Sequence, residues 1–402
     1  ATFGDARYFL VDSFNEMELP KIGKPATELL AGYGRNTYEA IKGGNADAVW
    51  VLQGWMFYFQ RNIWNRDTVK ALLGAVPDDR LMILDYANDY VPTWSRFNSF
   101  DGKRWVMGYV PNMGGKTAYT GKLDFYSQQV ARTLQSPQRG NLTGFTISGE
   151  GLENNEAIYE LMSDTAWSAK AIDIDQWLPR YVKNRYGKAP KAVLDAWQLL
   201  REGVYSSFSS QPRFGWQSGG LGRGVAGSGV KFREAVQLFL SAAPELGRNL
   251  NYRDDAVEMA AFALGARADE CFLDASQAVG LNRPEVSRTA GERGFQLLLD
   301  LDRLLASHSF HRLDRWIDFA RSHGDTEAER DNYERNARQI VTVWGPPIND
   351  YSCRVWSGLI RDYYLPRVRM KLEEIRSGQR STRSQWEAQW VCRKGLSKVE
   401  PF

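Results

Sequence analysis

Two glutamates stand where a chain of alternating strands and helices could use them as a pair. Glu16 follows Asn15 just after the apolar run Tyr8–Asp12 (YFLVD), and Glu150 follows the run Gly144–Ile147 (GFTI), between Gly149 and Gly151. The flanking glycines let backbone and ligand approach closely. If these runs are strands of one barrel, both carboxyls lie at strand ends and converge on the same mouth, despite a separation of 134 residues. Chemistry that needs two such groups is glycoside hydrolysis. One protonates the leaving oxygen, while the other attacks the anomeric carbon or activates water. Imidazole offers no alternative in this region, because the only three histidines are His308, His311 and His323.

The remaining reactive side chains have plainer readings. Glu153 and Glu156 fall on the first turns of the helix after Glu150, where acids favour the helix N-terminus. Asp12 and Asp85 either orient neighbouring loops or bind substrate hydroxyls. His308 and His311 sit three apart, a weak metal-ligand spacing without a nearby third ligand, and read as structural or surface residues. Gly215–Gly229 (GWQSGGLGRGVAGSG) lacks a P-loop register and reads as a mobile surface loop. Cys271, Cys353 and Cys392 are too few for a disulfide scaffold. No metal or organic cofactor is expected.

The elements that must position the carboxyls follow from hydrophobic patterning. Five apolar runs, Tyr8–Asp12, Ala48–Leu52, Leu81–Tyr86, Trp105–Val110 and Gly144–Ile147, are continuous rather than alternating. Strands buried on both faces of a parallel sheet have this pattern. The runs recur at βαβ spacing, with helical patterns over Thr27–Ile41 and Asp67–Leu73. Polar residues cluster at the run ends, the rim where barrel chemistry sits. Five strands do not close an eight-stranded barrel. Residues 1–165 therefore read as the C-terminal part of a (β/α)8 barrel whose missing strands lie upstream or in another polypeptide. An open five-stranded α/β sheet is the alternative. Residues 166–402 read as an all-α domain, with helices over Asp175–Tyr186, Lys191–Tyr205, Val230–Ala242, Asp254–Ala278, Glu285–Ser307, Thr326–Val343 and Tyr351–Ser377. Thr326 and Glu329 form a capping-box signature.

Composition narrows the partners. Basic and acidic residues nearly balance, 51 against 48, which argues against a nucleic-acid binder. No run approaches the roughly 18 apolar residues of a membrane span. Aromatics are abundant, with 14 Trp, 18 Tyr and 19 Phe, and sugar sites use such rings as platforms.

Several segments together resemble a known family. Asp12-Ser13-Phe14-Asn15-Glu16-Met17 and Ala48-Val49-Trp50-Val51-Leu52-Gln53-Gly54-Trp55 resemble the α-N-acetylglucosaminidases of glycoside hydrolase family 89. So do Leu73–Pro77, Asn112-Met113-Gly114-Gly115, Gly149–Glu156, Thr342–Pro347 and Asp350-Tyr351. The resemblance implies an N-terminal α/β domain, a barrel and an all-helical C-terminal domain that completes the active-site wall. It implies that Glu16 is the general acid/base and Glu150 the nucleophile of a retaining double displacement. It further implies that Asn15, Trp55, Trp344 and Tyr351 bind a terminal N-acetylglucosamine. The implied substrate is a glycan ending in α-linked N-acetylglucosamine, and animal members act on heparan sulfate. The family's N-terminal domain and first barrel strands have no counterpart in this sequence.

Two alternatives stay open at the level of sequence. One is a non-catalytic glycan-binding chain, or half of an enzyme that needs an N-terminal partner piece. The other is a different sugar, since Asn-Glu at a strand end also occurs in β-glycosidase barrels. The substrate class favours a secreted, periplasmic or lysosomal location, and Asn141-Leu142-Thr143 is one glycosylation sequon.

Overall fold

The computed structural model describes residues 6–12, 14–115, 119–151, 155–209, 212–218, 221–222, 224–345, 349–395 and 401. The chain divides into two compact units. One comprises Ala1–Pro111, Phe125–Glu150 and Glu160–Ile172, and the other Asn112–Asp124, Gly151–Tyr159 and Asp173–Phe402. Among the described residues no helix is long and apolar enough to cross a membrane.

The first unit is built on five parallel strands: β1 (Tyr8–Leu10), β2 (Val49–Gln53), β3 (Leu81–Asp85), β4 (Arg104–Tyr109) and β5 (Leu142–Ile147). They are ordered β1-β2-β3-β4-β5, each paired in parallel with the next. A doubly wound open sheet reverses its strand order at a switch point. Sequential order without reversal is that of a barrel wall, so this is five consecutive βα units of a TIM-type barrel. Helices Ala26–Gly44, Arg66–Gly74 and Leu123–Gln135 form the crossovers, with shorter turns between β3 and β4.

Burial follows the apolar runs. Val49, Trp50, Leu52, Ile83 and Trp105 have essentially no exposure, each side chain contributing roughly 1.5–3 kcal/mol. Trp94 stacks on Trp105 at 5.4 Å. The helix Ala26–Gly44 lies so close to Arg66–Gly74 that a Cβ on Gly34 would come within 2.7 Å of the Leu72 carbonyl. Asn65 starts the second of these helices with a capping box completed by Thr68. Burial on both faces holds for β2 and β4 and fails at β1, where Tyr8 and Leu10 are exposed, and at β5, where no residue is buried. Among the described residues β1 pairs with β2 alone and β5 with β4 alone, so both are edges.

The second unit is helical. Its helices include Ile174–Tyr186, Lys191–Glu202, Val230–Ser241, Leu250–Gly280, Pro284–Leu305, Leu313–Arg321, Glu327–Ile340, Leu365–Ser377 and Arg383–Val391. The Thr326/Glu329 capping box forms as expected. Leu313–Arg321 and Arg383–Val391 lie outside the expected helices, and two further segments depart from the sequence reading. Residues 351–358 are not helical; buried Asp302 accepts the amides of Gly358 and Arg361 at 2.8 and 3.2 Å, so the helix starts there instead. It opens with a π-turn over Ile360–Tyr364, because Pro366 has no N–H to continue the α-ladder. The Gly-rich segment is not a surface loop throughout. Trp216, Gln217 and Val225 are buried, and Asp269 accepts the amides of Gly215 and Trp216 at 2.9 and 3.0 Å.

Candidate active site

The rim of the first unit is organised around the turn after β1. Phe14 and Glu16 both have left-handed backbone, at φ 51° and 55°, a strain that must be held by contacts. Phe14 packs edge-on against Tyr33 at 4.6 Å. Gln60 clamps the other side: its Oε1 accepts the Glu16 amide at 3.0 Å, and its Nε2 donates to the Met17 carbonyl at 2.7 Å. The turn therefore presents Glu16 at the surface, where its Oε1 accepts the Trp55 indole N–H at 3.1 Å. Trp55 is stacked on Phe59 at 5.8 Å and meets Tyr90 edge-on at 6.1 Å. Among the described residues Asn15 Oδ1 is buried without a hydrogen-bond donor.

Glu150 lies three residues beyond the end of β5 and is exposed. Tyr86 follows the end of β3, the middle strand, and its hydroxyl donates to Gln53 Oε1. Burial raises the Tyr86 phenol well above its usual range, and the charges of Asp12, Glu150 and Glu16 add to that. Asp12, Glu16 and Glu150 thus bear on one phenol, which belongs to the polar cluster Asp85-Tyr86 at the end of its apolar run. Asp85 is instead a loop-orienting residue. It is 1% exposed, accepting from the Thr93 hydroxyl and from the Trp94 amide at 2.9 Å. Burial lifts its carboxyl to about 6.

In the helical unit, the rings of Trp344 and Tyr351 lie 5.1 Å apart at 55°. Trp344 has φ 53°, its amide donating to the Gln339 carbonyl and its own carbonyl accepting from Gln339 Nε2, both at 2.8 Å. Asp350, at φ 60°, is held by Arg367 through two bonds of 2.8 and 2.9 Å. Pro346 and Pro347, which belong to the same motif, lie outside the described residues, as do Ser13 and Glu153.

His308 and His311 do have a third group beside them, Glu258, 50 residues upstream. Its Oε1 is 3.4 Å from His308 Nε2 and 3.6 Å from His311 Nε2. The trio does not fit a metal centre. His308 Nδ1 accepts the amides of Phe310 and His311 at 3.1 and 3.3 Å, which leaves the proton of the neutral ring on Nε2, facing the carboxylate. A ligating histidine shows the reverse pattern, donating through its other nitrogen. Burial holds His311 neutral, its value lowered to about 3. Glu258 and His311 also line a cavity of about 60 Å³ with Tyr119, Tyr205, Asp255 and Glu156, room for a water or two. Burial and the Glu258 charge raise Glu156, in the first turn of its helix, to about 7.

Comparison with known proteins accounts for both units. The family model described as the alpha-N-acetylglucosaminidase (NAGLU) tim-barrel domain matches residues 1–169. The model of the alpha-N-acetylglucosaminidase (NAGLU) C-terminal domain matches residues 177–400. The chain belongs to the α-N-acetylglucosaminidase family.

Human alpha-N-acetylglucosaminidase is 31% identical over 386 residues, covering 93% of this chain and 51% of the human protein. A family 89 glycoside hydrolase from Clostridium perfringens, solved with 2-acetamido-1,2-dideoxynojirmycin, superimposes with a TM-score of 0.82 at 22% identity. That match covers 96% of this chain and 45% of the bacterial one. A variant of that enzyme, solved with its substrate GlcNAc-alpha-1,4-galactose, has a TM-score of 0.82 at 21% identity, with the same coverage. This α-N-acetylglucosaminidase-family chain thus spans about half the length of the relatives it matches.

Proposed function

We propose that this chain carries the catalytic carboxyls of an exo-acting α-N-acetylglucosaminidase, which removes terminal α-linked N-acetylglucosamine from glycans with retention of configuration. The observation that carries the reading is the placement of Glu16 and Glu150 beyond the first and last strands of one sequentially ordered parallel sheet, in a chain of this family. Glu16 in its acid form protonates the glycosidic oxygen while Glu150 attacks the anomeric carbon. Glu16 then acts as base toward the water that releases the sugar. Asn15 and Trp55 bind the sugar, and by the same resemblance Trp344 and Tyr351 are sugar-binding positions. The buried Asn15 oxygen supports its role, since a sugar N–H or O–H is the donor it lacks.

The bacterial relatives were solved with 2-acetamido-1,2-dideoxynojirmycin and with the substrate GlcNAc-alpha-1,4-galactose, which supports N-acetylglucosamine over the β-glycosidase alternative. A secreted, periplasmic or lysosomal setting follows from the substrate class. A second reading, in which further βα units must join this chain before it turns over substrate, is supported by the exposed β1 edge with Tyr8 and Leu10. Release of nitrophenol from nitrophenyl α-N-acetylglucosaminide tests both. Turnover by the chain, abolished in Glu150→Gln and Glu16→Gln, supports the enzyme. A folded chain without turnover favours the second reading.

A further inference from the structure

Tyr86 is a polar side chain of the rim that the double displacement leaves without a task. Tyr86 follows β3, the central strand, and so stands between the strand ends that lead to Glu16 and Glu150. Its ring is half-buried. Gln53, which receives its proton, is the last residue of β2 and only 7% exposed, so the phenol is oriented from beneath by a fixed amide. Around it lie the charges of Asp12, Glu16 and Glu150. These charges and burial keep the phenol protonated, which excludes a role as a base.

Donor and acceptor accounting then defines the ligand. With its proton committed to Gln53, the Tyr86 oxygen presents only lone pairs. The buried Asn15 oxygen, on the turn after β1, is another acceptor without a donor among the described residues. Acceptors cannot satisfy one another. What fits such a rim is a molecule rich in O–H and N–H donors. We propose that Tyr86, oriented by Gln53, accepts a hydrogen bond from one hydroxyl of the bound N-acetylglucosamine and so determines which sugar epimers and deoxy-sugars the site takes. The assignment rests on the glycosidase reading above.

Calorimetric titration of the chain with N-acetylglucosamine and its 3-, 4- and 6-deoxy analogues tests it. For the unmodified chain, one analogue should bind about tenfold more weakly than the parent, the loss expected for a single hydrogen bond. Tyr86→Phe should bind the parent about tenfold more weakly and no longer distinguish that one analogue from it, a pattern that a merely structural tyrosine would not produce. Gln53→Leu, which leaves the hydroxyl but frees its orientation, should blunt the same discrimination and no other. Wild-type affinities for the parent and all three analogues in Tyr86→Phe would overturn the proposal.

Hydrolysis of the nitrophenyl glycoside separates this assignment from the enzymatic one. Tyr86-dependent binding without turnover keeps Tyr86 and removes the hydrolase. Turnover with a Tyr86→Phe variant of unchanged selectivity removes Tyr86 alone. A chain that does not bind N-acetylglucosamine overturns both.

Discussion

The indole N–H of Trp55 donates to Glu16 Oε1 at 3.1 Å, tying the residue two positions beyond β2 to the carboxyl that follows β1. The bond crosses neighbouring strand ends, and the stack of Trp55 on Phe59 holds the indole in place for it. The aromatic proposed to face the sugar is therefore also the group that orients the proposed acid.

Trp55→Phe keeps an aromatic surface but deletes the donor to Glu16. A hydrogen bond to a carboxylate contributes roughly 1.5–3 kcal/mol, so kcat/KM should fall by about ten- to a hundredfold. The melting temperature should stay close to that of the unmodified chain, because Glu16 is exposed. Steady-state kinetics on the nitrophenyl glycoside, beside a thermal melt, checks both. An unchanged kcat/KM would separate Trp55 from the acid.

Double displacement makes a stereochemical demand. The first sugar released should be the α-anomer of N-acetylglucosamine, observed by proton NMR before mutarotation. Initial release of the β-anomer would mean inversion, which requires carboxyls roughly 6.5–9.5 Å apart instead of about 5–5.5 Å.

Arg367 holds Asp350 through two bonds and lies 2.6 Å from Glu387, with the arginine and aspartate 5% and 4% exposed. Removing one partner leaves an uncompensated buried charge. Arg367→Met should lose about 3–5 kcal/mol in urea unfolding. It should also release the left-handed turn at Asp350 that precedes Tyr351, altering the near-ultraviolet dichroism of the Trp344–Tyr351 pair.

Asp269 gives the helical unit a pH dependence. Burial raises its carboxyl from 3.8 to about 7, against the lowering effect of the Gly215 and Trp216 amides. An acid raised on folding contributes stability that is fully present below its unfolded value and is lost as pH rises through its folded value. Stability should therefore decline between about pH 4 and pH 7, by a few kcal/mol at most. Urea midpoints of Asp269→Asn should be flatter across that interval. A slope equal to that of the unmodified chain would assign the pH dependence to other groups.

The amino-acid sequence by itself determined the strands and most helices, because burial on both faces of a parallel sheet demands continuous apolar runs. β2, β3 and β4 lie within one residue of Ala48–Leu52, Leu81–Tyr86 and Trp105–Val110. It also brought Glu16 and Glu150 to notice, since acids at strand ends follow from the same periodicity. Strand order, edge exposure and the partners of each polar group were decided only by tertiary structure. Gln60 clamps a turn 44 residues away, and Glu258 meets His308 and His311 across 50 residues or more. Asp85, a strand-end acid like any other on paper, is spent inside on Thr93 and Trp94. Hydrogen bonds of this kind depend on three-dimensional direction and distance, which a residue's spacing along the chain does not encode.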